Sequence, residues 1–498
     1  MNTKPRTATL IVLCLAGLLP LAGCASAVDA SRAYSRGAIN SGLIVPAESI
    51  RIHEYLNHYE QRFPEPTDQP LGLDVRVGNP SLPVTGGDLY IQIGVQAWRS
   101  GSEERTPMNL ALVLDASGSM SDPQKMPFLK QSLMVFLQEL RPDDRVAIVA
   151  YNDEAVLLRS IDEVGGGPWI PGIIERLEPG GRTNLQAGLM MGLQEVERSF
   201  DLRRNNRVIL LTDGIANVGV TDPDRIAADA LAYNQRGINV STIGLGLDMN
   251  DALLSTLAHQ GQGAYHFVDS AQEMDKVFRQ EVEGLLEKVA SDVRVSIEVY
   301  PGLSLTMITG MDGAPPAQGA EVLLQDMGAG DSQVVLARLR AGSVPFGAQT
   351  VARVTLGYFD IFAQTFRETE TEIQEEVTGA SDYDPLWDVE VRRSVTVVRS
   401  AETLRTIDGL CQQGRYQAAW QEAAKMEHEL REVAVMAGDP QLIEDADLFR
   451  RYQLTLAEAL GQDPAAEDGA PWLEGAGATP GWGSEPLLET ALPTVEVR

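Results

Sequence analysis

An α/β fold with a doubly wound, mostly parallel sheet is what this 498-residue chain predicts, inserted in or followed by a β-sandwich-like domain, with a C-terminal helical hairpin. Three patterns carry that reading. Between residues 108 and 288, apolar strand-length runs alternate with amphipathic helix-length runs. On either side, over 71–98 and 289–399, apolar residues recur at every second position. From 400 to 460 they recur at helical spacing.

In the central segment the strands are expected at 109–114, 145–151, 155–161, 207–212, 239–244 and 264–268. Helices are expected at 128–140, 170–177, 185–200, 224–235, 251–259 and 271–286. Strands apolar on both faces belong in a parallel sheet covered by helices on both sides. Such sheets bind ligands beyond the carboxyl ends of the strands, where the strand order reverses.

The flanks read differently. Ile91, Ile93, Val95 and Ala97 share one face and Gln92 and Gln96 the other, the pattern of a half-buried antiparallel strand. Further strands are expected at 292–300, 304–309, 334–339, 350–359, 365–373 and 391–398. The β-rich stretch before the central segment should pair with those after it, so that the α/β unit interrupts a sandwich. Residues 51–107 then hold a short helix (Ile52, Tyr55, Leu56 and Tyr59 at helical spacing) and that first β segment. His53 and His58 lie five apart, off a common helix face, which argues against a metal pair. Glu368, Glu370 and Glu372 alternate along one strand, and 368–390 holds nine acids and no base. A solvated edge that resists edge-to-edge pairing accounts for this better than a calcium loop or a patch for a basic partner.

Over 400–460, Leu404, Ile407, Leu410 and Cys411 form one stripe, with Leu430 and Val433 further on. Leu448, Phe449, Tyr452 and Leu456 form another, after the break at Gly438, Asp439 and Pro440. Two helices packed on the sandwich are expected, with Cys411 as a small buried hydrophobe. The stretch 461–498, rich in Gly, Pro, Ala and Glu, reads as a disordered tail, with Trp472 and Trp482 isolated in it.

The net charge is −30, from 40 basic and 70 acidic residues. A polyanion of that size repels nucleic acid and anionic headgroups, so neither is an expected partner.

The chemistry-bearing motif follows the first apolar strand of the α/β unit: Asp115, Ser117 and Ser119, alternating with Ala116 and Gly118. Thr183 stands in Gly180-Gly-Arg-Thr-Asn184, and Asp213 in Thr212-Asp-Gly214 after a second apolar strand. One or two carboxylates among hydroxyls suit a hard divalent cation that retains some water. These three segments resemble the metal-ion-dependent adhesion site (MIDAS) of the von Willebrand factor type A (VWA) family, whose domain is a Rossmann-like α/β fold. The resemblance implies that Asp115, Ser117 and Ser119 approach the ion, that Thr183 coordinates directly or through water, and that Asp213 acts mostly through water. It implies Mg²⁺ or Mn²⁺. Arg182 beside Thr183 should not touch the ion.

Residues 1–23 read as a signal peptide: Lys4 and Arg6 precede an apolar run at 8–21, too short for a membrane span. The end of the run, Leu21-Ala-Gly-Cys24, resembles a bacterial lipobox and implies lipidation at Cys24, with 24–50 as a tether. Acylation by more than one chain gives stable anchoring. Ala25 after the cysteine favours the outer membrane, facing the periplasm or the cell surface. Only Cys411 then remains, so no disulfide forms within the mature chain.

Arg51–Tyr59, the 206–219 stretch and 246–251 are similar to bacterial lipoproteins that carry a VWA domain. That similarity implies a cation-dependent protein-binding module on the cell envelope, without enzyme activity, whose partner protein supplies an Asp or Glu carboxylate to the metal. The rival expectations are an envelope scaffold in which the ion only stabilises the fold, and a metal-dependent hydrolase. GxSxG, HExxH and P-loop motifs are missing from the sequence.

Overall fold

The computed structural model describes residues 30–460 apart from 60, 62, 99–106, 124, 269–287, 312 and 380–382. Cys24 and the leader, the helical pattern at 271–286 and the tail with its two tryptophans lie outside the described residues.

Two helices, α1 (Ala30–Asn40) and α2 (Ile52–His58), begin the described chain. The first corrects the tether reading of 24–50. Ala30, Ala33, Ala38 and Ile39 are buried, because small side chains let α1 lie close against its neighbours. Next come β1 (Leu71–Val77), β2 (Ser81–Pro83) and β3 (Gly87–Ala97).

The α/β unit follows: β4 (Met108–Asp115), α3 (Met126–Glu139), β5 (Arg145–Tyr151), β6 (Ala155–Glu163), α4 (Ile170–Ile174), α5 (Leu185–Arg198), β7 (Asn205–Thr212), α6 (Pro223–Asn234), β8 (Asn239–Leu245), α7 (Asp251–Gln260) and β9 (Gln262–Val268). Its sheet runs β6-β5-β4-β7-β8-β9, all pairs parallel except β5 with β6. The order reverses between β4 and β7, so a crevice opens at their carboxyl ends. Every residue of β4 is buried, as is all of β7 after Asn205. The edge strand β6 departs from expectation. It is half exposed, since the antiparallel edge has only one neighbour and one covered face.

The chain then returns through β10 (Lys288–Val299), β11 (Leu303–Ile308), β12 (Gly319–Leu323), β13 (Met327–Gly328), β14 (Ser332–Ala341), β15 (Gly347–Asp360) and β16 (Thr365–Thr378). One sheet runs β1-β3-β14-β11 and the other β12-β10-β15-β16-β2, with β13 beside β10. Strands from before and after the α/β unit pair directly, β3 with β14 and β2 with β16, so the unit is inserted in a sandwich. Leu89, Ile91, Ile93 and Val95 meet Val293, Val295, Ile297 and Val354 in the core between the sheets. Glu368, Glu370 and Glu372 are exposed on the stretch of β16 that β2 leaves unpaired.

Three helices end the described chain, α8 (Val389–Gln412), α9 (Tyr416–Ala437) and α10 (Pro440–Ala459), in place of the expected two. The segment 391–398, read as a strand from its β-branched residues, is the start of α8. Asp388 caps it by accepting from the Val391 N–H at 2.9 Å. Val391, Val395, Val398 and Ala401 then share a helical face, which packs with Tyr90, Val334 and Leu336 of the first sheet. Tertiary burial thus overrides a weak local β preference. The same packing corrects the polar face of β3: Gln92 is 2% exposed and accepts from Ser394 Oγ at 2.6 Å. Phe63 lies over Gly94, where a Cβ has no room. Cys411 is buried and free.

Buried ion pairs fasten the N-terminal helices between the two halves of the molecule. On α1, Arg32 holds Asp445 of α10 with Nε at 2.9 Å and Nη2 at 2.6 Å, and Tyr59 donates to the same carboxylate. Arg51 bonds Glu54 of α2 and, at 2.7 Å, Asp251 of α7, which also accepts from Tyr265 at 2.6 Å. His58 Nε2 lies 2.7 Å from Arg32 Nη1, so it takes part in this network.

Asp445→Ala should destabilise the protein by about 3–5 kcal/mol, because the buried guanidinium of Arg32 is left with only the distant, exposed carboxylate of Glu444 at 3.7 Å. Chemical denaturation measures the loss. Asp445→Asn keeps one acceptor and should lose less.

Glu375 on β16 is 2% exposed, and its Oε2 has no hydrogen-bond partner among the described residues. Burial pushes its carboxyl up to about 7. The stability linked to its protonation is complete below the unfolded carboxylate pKa and is lost as pH rises through about 7. Glu375→Gln should therefore raise Tm at pH 8 by about 2–4 °C and leave it unchanged at pH 4. Thermal melts at both pH values check this.

Candidate metal centre

The five expected ligands sit at the carboxyl ends of β4 and β7 and on the loop before α5. Asp115, the last residue of β4, is fully buried. Its Oδ1 accepts from Ser117 N–H at 2.8 Å, and its Oδ2 from Thr212 Oγ1 at 2.7 Å. The Tyr151 hydroxyl stands 3.3 Å from Oδ2, at the end of the neighbouring strand β5. Burial pushes the Asp115 carboxyl up, opposed by the bonds from Ser117 and Thr212, and the charge of Asp213 adds to the rise. A cation among these groups would relieve both the burial of charge and the repulsion.

After Asp115 the chain turns into a short 3-10 segment, Gly118–Ser121, which turns both serines to one side. Ser117 Oγ and Ser119 Oγ are 3.0 Å apart, and Ser119 Oγ donates to Asp213 Oδ1 at 2.7 Å. Asp213 Oδ2 accepts from Lys125 Nζ at 2.6 Å.

Thr183 is held by its backbone. Its N–H donates to Asn217 Oδ1 at 2.9 Å, and its carbonyl accepts from Asn217 N–H at 3.0 Å. A Cβ placed on Gly214 would stand 3.6 Å from Thr183 Oγ1 and 3.7 Å from Ser119 Oγ, so both hydroxyls flank that glycine. Backbone bonds tie the loops together: Gly118 N–H to Gly181 O at 3.0 Å, and Gly180 N–H to Ala116 O at 2.8 Å. The Arg182 side chain is exposed and turned to Asp153 at 2.8 Å.

The structure therefore brings Asp115, Ser117, Ser119 and Asp213 into one hydrogen-bonded cluster and sets Thr183 beside it. The donors are all oxygens, from two carboxylates and three hydroxyls, which fits a hard divalent cation and not a thiophilic one. Among the described residues no group of three or more His, Cys, Asp or Glu could hold a metal, so a site here depends on hydroxyls.

Reading the sequence missed Thr212, Tyr151, Asn217 and Lys125. Thr212 and Asn217 lie within the 206–219 stretch, but nothing in the spacing marks them. Tyr151 and Lys125 reach the site from β5 and the N-cap of α3, and the sequence carries no sign of either.

Residues 109–280 match the family model for the von Willebrand factor type A domain, so the chain carries such a domain. Uncharacterized protein YfbK of Escherichia coli is 32% identical over 291 residues, which cover 57% of this chain and 50% of that one. Uncharacterized protein sll0103 of Synechocystis is 27% identical over 315 residues, 61% of this chain and 74% of that one. The chain thus spans half the length of the first of these relatives and about three quarters of the second. The solved von Willebrand factor type A structure from Catenulispora acidiphila superposes with a TM-score of 0.55 at 17% identity, over 74% of this chain and 87% of that one. That share exceeds 109–280, so the superposition extends beyond the α/β unit.

Thr212→Val should cost about 1–3 kcal/mol, since Asp115 Oδ2 keeps only the longer bond from Tyr151. Denaturant titration measures this.

Proposed function

We propose that the protein is a divalent-cation-dependent protein-binding module, with a MIDAS formed by Asp115, Ser117, Ser119, Thr183 and Asp213. The observation that carries this reading is the convergence of Ser117, Ser119 and Asp213 beside the buried Asp115 at the reversal of strand order. Asp115 and the two serines would hold Mg²⁺ or Mn²⁺, with Thr183 completing the protein share and Asp213 orienting bound water. The ion would supply positive charge and a coordination position open to an Asp or Glu carboxylate of a partner protein. A hydrolytic role has little support, since ionised ligands are few and, among the described residues, the other titratable groups bonded to this cluster are Lys125 and Tyr151.

Anchoring belongs to the same proposal. The Leu21-Ala-Gly-Cys24 run supports lipidation at Cys24 and placement on the bacterial envelope, at the outer membrane facing the periplasm or the cell surface. Among the described residues, no helix is long and apolar enough to cross a membrane.

Calorimetric titration of Mg²⁺ and Mn²⁺ into the protein should give one site, abolished by Asp115→Ala and weakened about ten-fold or more by Ser119→Ala. Circular dichroism of the variants should remain native. Absence of uptake by the folded wild type would remove the cation reading. Loss of partner capture in EDTA and in Asp115→Ala, with the fold intact, is the second expected outcome.

A further inference from the structure

We propose that Lys125 sets how tightly the site takes a divalent cation, by neutralising Asp213 from the side turned away from the hydroxyl cluster. This rests on the reading of the site as a cation centre and deepens it.

The two oxygens of Asp213 are divided between two neighbours. Oδ1 accepts from Ser119 Oγ at 2.7 Å, which turns it to the ligand cluster, and Oδ2 accepts from Lys125 Nζ at 2.6 Å. The Asp213 side chain has no exposed surface, and that of Lys125 is 23% exposed. Water therefore screens this pair less than it would two exposed groups, and the ammonium offsets part of the carboxylate's charge.

The approach of the lysine is built into the fold. Lys125 stands at the N-cap of α3, and its carbonyl accepts from Leu129 N–H at 2.9 Å. Its stem passes Gly246, at the end of β8, where a Cβ would stand 4.0 Å from Lys125 Cε. The ammonium thus reaches Asp213 from the far flank, leaving Oδ1 to Ser119.

Two carboxylates with this ammonium carry one net negative charge; without it they carry two. Affinity for a hard dication rises with the charge its ligands present. Lys125 accordingly lowers the affinity for the ion itself. It also leaves a bound ion less neutralised by the protein, and so more attractive to an incoming carboxylate. The residue exchanges affinity for metal against affinity for an acidic partner.

The test is calorimetric titration of MgCl₂ and MnCl₂ into the full chain as wild type, Lys125→Gln, Lys125→Arg, Asp213→Asn and Lys125→Gln combined with Asp213→Asn. Lys125→Gln should bind each cation about five- to twenty-fold more tightly. Lys125→Arg keeps the charge and should stay within about two-fold of wild type. In the Asp213→Asn background, removing the lysine should bring little or no gain. A second readout does not depend on the variant being fully stable: the rise in Tm from EDTA to Mg²⁺ should be larger in Lys125→Gln than in wild type. Equal or weaker binding by Lys125→Gln, with sound binding by wild type, overturns the role of Lys125 and leaves the cation centre standing. No uptake by either protein overturns the cation centre, and this inference with it.

Discussion

The burial of Asp115 at the end of β4 is the constraint on which the candidate site depends. A carboxylate with no exposed surface must be bonded on both oxygens, and Ser117 on the loop after β4 and Thr212 at the end of β7 supply those bonds. The loop after β4 is thereby drawn against the end of β7. Ser119 then reaches Asp213, and the hydroxyl cluster follows from that closure. Lys125 balances part of the resulting negative charge.

The same logic of buried charge joins the rest of the molecule. The α/β unit leaves the sandwich after β3 and returns in β10, which lies in the other sheet. Covalent links at those two points would leave its orientation loosely set. The N-terminal helices add a third fastening, with Arg51 bonded to Asp251 of α7 and Arg32 to Asp445 of α10. Each guanidinium is buried or nearly so, and breaking such a pair is far costlier than losing a surface salt bridge.

The candidate site lies on the face of the α/β sheet formed by strand carboxyl ends, where loop chemistry changes without disturbing the core. In the sandwich the dominant force is apolar burial between two sheets, and a third layer of helices covers the outer face of the first sheet. That layer places Gln92 and Ser394 in a buried hydrogen bond at the heart of an apolar interface, where a lost partner is expensive.

The sequence by itself determined the strands of the α/β unit, because the apolar runs of β4, β5 and β7, alternating with helix-length segments, call for a buried parallel sheet. It also determined the order of Asp115, Thr183 and Asp213 along that unit, and the pairing of the flanking β segments, since period two on both flanks calls for a common sandwich. What the tertiary structure decided are the features whose cause lies far away in the chain. Val391–Val398 is helical because its valines bury against Tyr90 and Val334, not because of local preference. The segment at Ala30–Asn40 is a helix because Glu54 of α2 and Asp445 of α10 offer it carboxylates and the two halves of the molecule offer it apolar walls. Tyr151 and Lys125 join the site through strand adjacency and a helix start, and contacts made in space leave no periodic mark on a sequence.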